Sequence, residues 1–287
     1  MEAALIGARL LQFAAATGCG TAFFFLYGEA PRKLSRWRQG LALGFVAGAI
    51  GSLAWLMAQA GLFGEPRDAF SPARVWSVAA DTGFGRAALV RLVLFVLAAG
   101  AVAGGRWKAA AGLSALATAT FAFGGHAAGS EGVLGTARMA ADAVHALAAV
   151  IWLGALPPLV AMLFGNPGET ASAKRGLDSF SRIGVGVVGA LVVTGAINTL
   201  AIFGPNGIWG LAHSPYGKLL LAKLALFCGM LTLAAGNRLV WAPRLRHAEK
   251  GDQAVITALR GSVVSEAALG FAVLLIVSWL GTLSPTA

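Results

Sequence analysis

The sequence predicts an all-α polytopic membrane protein with eight transmembrane helices, and three observations predict it. Of 287 residues, 57% are hydrophobic and only 12% charged, with a mean hydropathy of +0.75. A soluble domain of this length needs far more charge to cover its surface. The apolar residues come in continuous runs of about 20, the length that crosses a hydrocarbon core of about 30 Å. The alternating pattern of barrel strands is absent. Finally, the basic residues gather in every second loop.

The runs can be taken in order. The first, 4–28, follows Glu2 where a signal peptide carries a basic segment, and no cleavage site follows, so it reads as a retained span. The second covers 40–62. The stretch 68–82 is too polar to cross and, with Pro72 and Trp76, reads as a short interfacial helix. Further spans follow at 84–104, 108–125, 137–164, 182–203, 216–240 and 258–283. Only short loops are left over, so residues 1–287 form a single transmembrane domain.

The net charge of +10 is distributed unevenly. Four loops hold Arg32, Lys33, Arg36 and Arg38; Arg106 and Lys108; Lys174, Arg175 and Arg182; and Arg238, Arg244, Arg246, Lys250 and Arg260, together 14 of the 22 basic residues. The opposite side holds Arg67, Arg74, Arg138 and Lys218. The positive-inside rule therefore places those four loops in the cytoplasm and both termini outside. The excess charge is a topology signal, and no nucleic acid partner is expected. Cys19 and Cys228 lie in apolar runs without C-x-x-C spacing, which argues against a disulfide framework or a structural zinc site.

An internal echo points to a duplicated unit. Asp81-Thr-Gly-Phe-Gly-Arg-Ala-Ala-Leu-Val-Arg-Leu-Val-Leu-Phe95 aligns with His213-Ser-Pro-Tyr-Gly-Lys-Leu-Leu-Leu-Ala-Lys-Leu-Ala-Leu-Phe227 at an offset of 132, and Gln12 stands opposite His145 at 133. Both pairs lie four spans apart. This predicts a parallel 4+4 repeat with halves 1–130 and 131–287.

The chemistry-bearing residues are few. Intramembrane ionisable groups are costly and are functional candidates by default. Met139, Asp142, His145 and Trp152 share one stripe of the fifth span. His126 precedes that span across a short loop. Two imidazoles, a carboxylate and a thioether make a candidate metal site of the type that suits copper, with Asp142 as a ligand or as the group that orients His145. A hydrogen bond between helices is the simpler role for His145, and bis-His ligation of haem b in an electron carrier is a third. Arg91 and Lys223 occupy matching places in the two halves, suited to pair with Asp142, to steer anions or to snorkel. Asn198 falls near the same pocket. Glu266, at the other end, is expected in an ion pair with Arg182 or Arg238, or on a cation or proton pathway. Trp152 is expected to pack. No nucleotide-binding loop is present, so transport driven by ATP hydrolysis in this chain is not expected, and no enzyme activity is expected.

Gly125-His126-Ala127, Ala141-Asp-Ala-Val-His145 and Ile151-Trp-Leu-Gly-Ala-Leu156 together resemble the copper resistance D family. So do Phe180-Ser-Arg182, Thr194-Gly195, Asn198, Tyr216-Gly-Lys-Leu-Leu-Leu-Ala-Lys223, Asn237-Arg238, Arg260 and Glu266. The resemblance runs from about Thr82 to Pro285, and His145 with the Trp-Leu-Gly that follows it is its most specific part. It implies a bacterial inner-membrane protein that moves copper, as Cu(I) or Cu(II), from periplasm to cytoplasm, with a periplasmic copper-binding protein as partner. Binding or sensing of copper without translocation is the alternative. One departure stands out: Gln12 occupies the place in the first span where the family leads one to expect a histidine.

Overall fold

The computed structural model describes residues 2–28, 34–124, 132–165, 167–207, 212–247 and 253–284. No strand occurs among them. The helices are α1 (Glu2–Tyr27), α2 (Leu34–Phe63), α3 (Pro72–Asp81), α4 (Gly83–Ala103), α5 (Trp107–Ala119), α6 (Gly132–Leu163), α7 (Pro167–Gly207), α8 (Pro215–Gly236), α9 (Ala242–His247) and α10 (Gln253–Leu280). Seven of these are long and apolar enough to cross a membrane: α1, α2, α4, α6, α7, α8 and α10. The protein is a multi-pass membrane protein. The polar stretch before α4 forms a 3-10 turn, Pro66–Phe70, and the short helix α3, on which Trp76 is exposed.

The expected span 108–125 is the one that differs in kind. Its α-helix, α5, has only 13 residues and is continued by a 3-10 turn, Thr120–Gly124. At a rise of 1.5 Å per α-residue and 2.0 Å per 3-10 residue, the two together reach about 30 Å. The tighter winding gives a short segment the length that its residue count as an α-helix lacks. α7 departs in the other direction. It starts at Pro167, well before the expected residue 182, and breaks at Gly204, whose φ of 66° and ψ of 174° suit glycine alone.

The two echoing segments have a local physical cause. Thr82 and Ser214 are both N-caps, and their hydroxyl oxygens accept from the backbone N–H of Gly85 and Gly217, each at 3.0 Å. Such a cap satisfies a donor that the helix itself leaves free.

Leaving aside the short helices α3 and α9, packing arranges the helices in two groups of four. Around Phe45 and Phe95, α1, α2, α4 and α5 share one apolar core. Around Trp152, Leu159 and Met162, α6, α7, α8 and α10 share another. The groups meet where α1 crosses α6. At Gly20 an added Cβ would lie 2.8 Å from Ile151 Cα, and at Gly154 it would lie 2.7 Å from Gly20 Cα, so neither position has room for a side chain. Pro157 and Pro158 sit inside α6. Proline lacks an N–H, so Pro158 cannot donate to the Gly154 carbonyl four residues earlier. The Thr21 hydroxyl donates to that carbonyl instead, at 2.7 Å.

Three arginines of the basic loops tie helices together, two of them at helix ends. α4 finishes with Gly105 at φ 73°, and the Gly105 and Arg106 N–H groups close back onto the Val102 and Ala101 carbonyls at 3.0 and 2.8 Å. Arg38, at the start of α2, donates to the carbonyls of Val102 and Ala103 there. Arg260, near the start of α10, donates to the last carbonyl of α6, Leu163, at 2.7 Å. Arg238 reaches Ser181 of α7 at 3.1 Å. Cations at helix C-termini meet the negative end of the dipole.

The α1–α6 contact makes a prediction. Thr21→Val keeps the shape and removes the donor to Gly154. It is expected to cost about 1–3 kcal/mol, read as a lowered unfolding midpoint in detergent. Thr17→Val, whose hydroxyl bonds only within its own turn, is expected to change stability by less than about 0.5 kcal/mol.

Candidate functional site

At one end of the bundle α1, α4, α6, α7 and α8 bring their polar side chains together. α6 contributes Met139, Asp142 and His145, all half-buried. His145 Nδ1 lies 3.0 Å from the Thr194 Oγ1 of α7. The Thr194 hydroxyl donates its one proton to the Ala190 carbonyl of its own helix. Its oxygen is therefore the acceptor, and His145 carries its proton on Nδ1. The Nε2 atom is left with its lone pair, the form in which imidazole binds a metal. The ring lies over Gly195, where an added Cβ would stand 3.5 Å from Cε1.

The charges around this ring are mostly positive. Lys223 of α8 is within electrostatic range of both His145 and Asp142. Arg138, one turn before Asp142, acts on the same carboxylate, and so does the Tyr216 phenol. Asp142 is thus held between cations from two helices. Asn198 is half-buried on α7, one turn beyond Thr194.

Gln12 and Arg91 form the matching cluster on α1 and α4. Arg91 is only 5% exposed, so it does not snorkel, and it does not pair with Asp142. Its Nη1 donates to Gln12 Oε1 at 2.6 Å, Nε to Thr120 Oγ1 at 2.8 Å and Nη2 to the Thr120 carbonyl at 3.0 Å. The guanidinium carbon stands 4.0 Å from the centre of the Phe121 ring, a cation–π contact. The Gln12 amide nitrogen donates to the Ala8 and Gly51 carbonyls, both at 3.2 Å. Both ends of the Gln12 amide are engaged, its oxygen by Arg91 and its two N–H groups by carbonyls, so it holds Arg91 in place. Thr120 was not visible in the sequence as a partner, because its role depends on the 3-10 turn that follows α5.

His126 lies outside the described residues. Among those described, no three His, Cys, Asp or Glu side chains come together as a metal site. Met139, Asp142 and His145 share the expected stripe of α6.

Glu266 corrects an expectation. It is 4% exposed, and its carboxylate accepts from Trp152 Nε1 at 2.6 Å and from Asn237 Nδ2 at 3.1 Å. Arg238 turns away to the Ser181 carbonyl. Two neutral donors from α6 and α8 hold the carboxylate where an arginine was expected. Trp152 therefore does more than pack: it joins α6 to α10.

This arrangement defines a class: a multi-pass membrane protein with a histidine and a carboxylate inside the bundle at one end and a second, separate carboxylate toward the other. Comparison with known proteins gives the particular family. The model described as Copper resistance protein D-like, N-terminal domain, matches residues 1–136, and that described as Copper resistance protein D matches residues 174–280. The chain is 38% identical over 179 residues to Copper resistance protein D of Pseudomonas syringae pv. tomato, covering 60% of this chain and 57% of that protein. It is 32% identical over 241 residues to Inner membrane protein YebZ of Escherichia coli, covering 82% and 81%. It is 28% identical over 274 residues to Copper transport protein CutJ of Bacillus subtilis, covering 89% of this chain and 48% of that one. No solved structure matches. The chain belongs to the copper resistance protein D family.

A buried arginine is expensive to leave unpaired. Gln12→Leu, which removes the acceptor for Arg91 Nη1, is expected to destabilise the protein by about 1–3 kcal/mol, measured as a shift in unfolding midpoint in detergent.

Proposed function

We propose that this chain is a copper permease of the bacterial inner membrane that takes copper from the periplasm to the cytoplasm, with no enzyme activity of its own. The observation that carries the reading is the His145–Thr194 bond, which leaves Nε2 of an intramembrane imidazole free to bind. Copper meets His145, with Met139 as a thioether ligand and His126 from the segment before α6. Asp142 ligates directly or offsets the incoming charge, with Lys223 yielding its place beside the carboxylate. A nitrogen and sulfur set suits Cu(I) and accommodates Cu(II). The family and the names of the Pseudomonas and Bacillus relatives support copper as cargo, and the name of the Escherichia coli relative supports the inner membrane. A periplasmic copper-binding protein is the partner that would deliver it.

In this reading the chain crosses eight times, with α5 and its 3-10 turn as the fourth crossing and both termini in the periplasm. The end gathered by Arg38, Arg238 and Arg260 faces the cytoplasm, as the positive-inside rule requires. The halves 1–130 and 131–287 are repeats within one domain. Supporting this are the paired caps Thr82 and Ser214, the two four-helix cores, and the Thr21–Gly154 bond between positions 133 apart.

One observation favours a second reading, binding without translocation. Toward the other end from His145, α6 presents Ala148, Leu156 and Leu159, buried and without polar atoms on their side chains, and no soft ligand follows His145 on that face before Met162.

Cellular copper measured with the wild type and with His126→Ala and His145→Ala separates the two. The permease predicts raised accumulation with the wild type and its loss in both variants; equal copper in all strains would exclude translocation. Thr194→Val is expected to weaken copper binding by the purified protein about 10–100-fold, as loss of an outer partner of a metal-bound histidine does. An optical spectrum of the same preparation with a Soret band would instead favour haem.

A further inference from the structure

Toward the end of the bundle away from His145, a cavity of about 270 Å³ lies between α6, α7, α8 and α10. Its walls are mostly aliphatic and aromatic. The polar groups on it are Glu266, Asn237, Trp152, Ser181 and Arg238. Asn237 opens a π-helical turn, Asn237–Trp241, that interrupts the α-helical course after α8. Such turns are rare, and they are found frequently at functional sites. Asn237 is 5% exposed, and its Oδ1 is buried with no hydrogen-bond partner.

The acceptors here outnumber the donors. Trp152 and Asn237 each give one hydrogen bond to one carboxylate oxygen of Glu266. An ionised carboxylate has about four lone-pair sites, so each oxygen keeps one unused. Asn237 Oδ1 adds another. Trp152 from α6 and Asn237 from the turn after α8 touch Glu266, and Arg238 from that turn and Ser181 from α7 share the cavity with it. Arg238, the one cation in this lining, donates to the Ser181 carbonyl. A buried carboxylate without a counter-charge is costly, and what completes the site must bring positive charge or a proton. The lining has no imidazole, thiol or thioether. Oxygen ligands alone select hard cations and are poor ligands for soft ones.

We infer that this cavity is a binding site for a hard monovalent cation, a proton or an alkali metal ion, with Glu266 and Asn237 Oδ1 as its oxygen ligands. It is separate from the His145 cluster in position and in chemistry. It needs no copper and does not rest on the permease reading.

The test uses the full-length protein in lipid, free of copper, and infrared difference spectroscopy of its carboxyl groups. One arm steps pH in choline chloride buffer. The other exchanges choline for sodium or potassium at fixed pH. A carboxyl signal in the wild type that is absent in Glu266→Gln is expected. A response in the pH arm identifies a proton, and a response in the salt arm an alkali metal ion. In either arm Asn237→Leu is expected to shift the midpoint about tenfold in ligand concentration. If Glu266→Gln does not fold, Trp152→Phe keeps the carboxylate and removes one donor, so the same band is expected to move. A wild-type spectrum unchanged in both arms overturns the proposal and leaves Glu266 as a purely structural acceptor, as does a signal that persists unchanged in Glu266→Gln.

Discussion

The crossing of α1 and α6 is the contact on which the rest of the structure depends. Two prolines break the hydrogen-bond ladder of α6, and inside a bilayer no water can fill the gap. The Thr21 hydroxyl fills it from the neighbouring helix. The hydroxyl reaches because Gly20 and Gly154 let the backbones approach within van der Waals range. The same crossing sets the height of the polar residues. Gln12 stands nine residues before Thr21, and His145 nine before Gly154, so each is about 13–14 Å up its helix from the joint. Glu266 is tied to α6 through Trp152, two residues before Gly154. Both polar clusters are measured from one point.

Electrostatics distinguish the two ends. Around His145 the fixed charges are cationic apart from Asp142, with Lys223 and Arg138 in range. A cation entering there competes with protein cations for a single carboxylate. A soft metal that binds through nitrogen and sulfur depends less on charge than an alkali ion does, so this field selects against hard cations. Around Glu266 the balance is reversed: oxygen acceptors exceed donors, and the apolar walls keep charge interactions strong.

Much of this was legible in the sequence. Apolar run length gave seven of the crossing helices, because the period and length of a membrane span are local properties. The basic loops do tie helices together, since Arg38 and Arg260 bind carbonyls at the ends of α4 and α6, and Arg238 binds one within α7. The stripe Met139–Asp142–His145 is as the spacing requires. What the sequence did not reveal depends on who sits opposite. The fourth segment is shorter as an α-helix because its last turn winds as 3-10. Glu266 was expected to seek an arginine, yet a neutral indole and a neutral amide lie closer, and only the packing of α6 and α8 against α10 decides that. The tautomer of His145 follows from where Thr194 sends its own proton, two bonds removed from anything a motif records.

The Gln12–Arg91 network has one more consequence. It ties α1, α2, α4 and the turn after α5 to one another through a buried cation whose hydrogen bonds are all made within that group. At the corresponding level of the other group, His145 is held only by α7, through Thr194 and the Leu191 backbone, and α7 and α8 are the membrane-spanning helices with least of their surface covered. The first four-helix group is therefore locked at this level by a buried polar network, while most of the surface of α7 and α8 is left uncovered by the rest of the bundle.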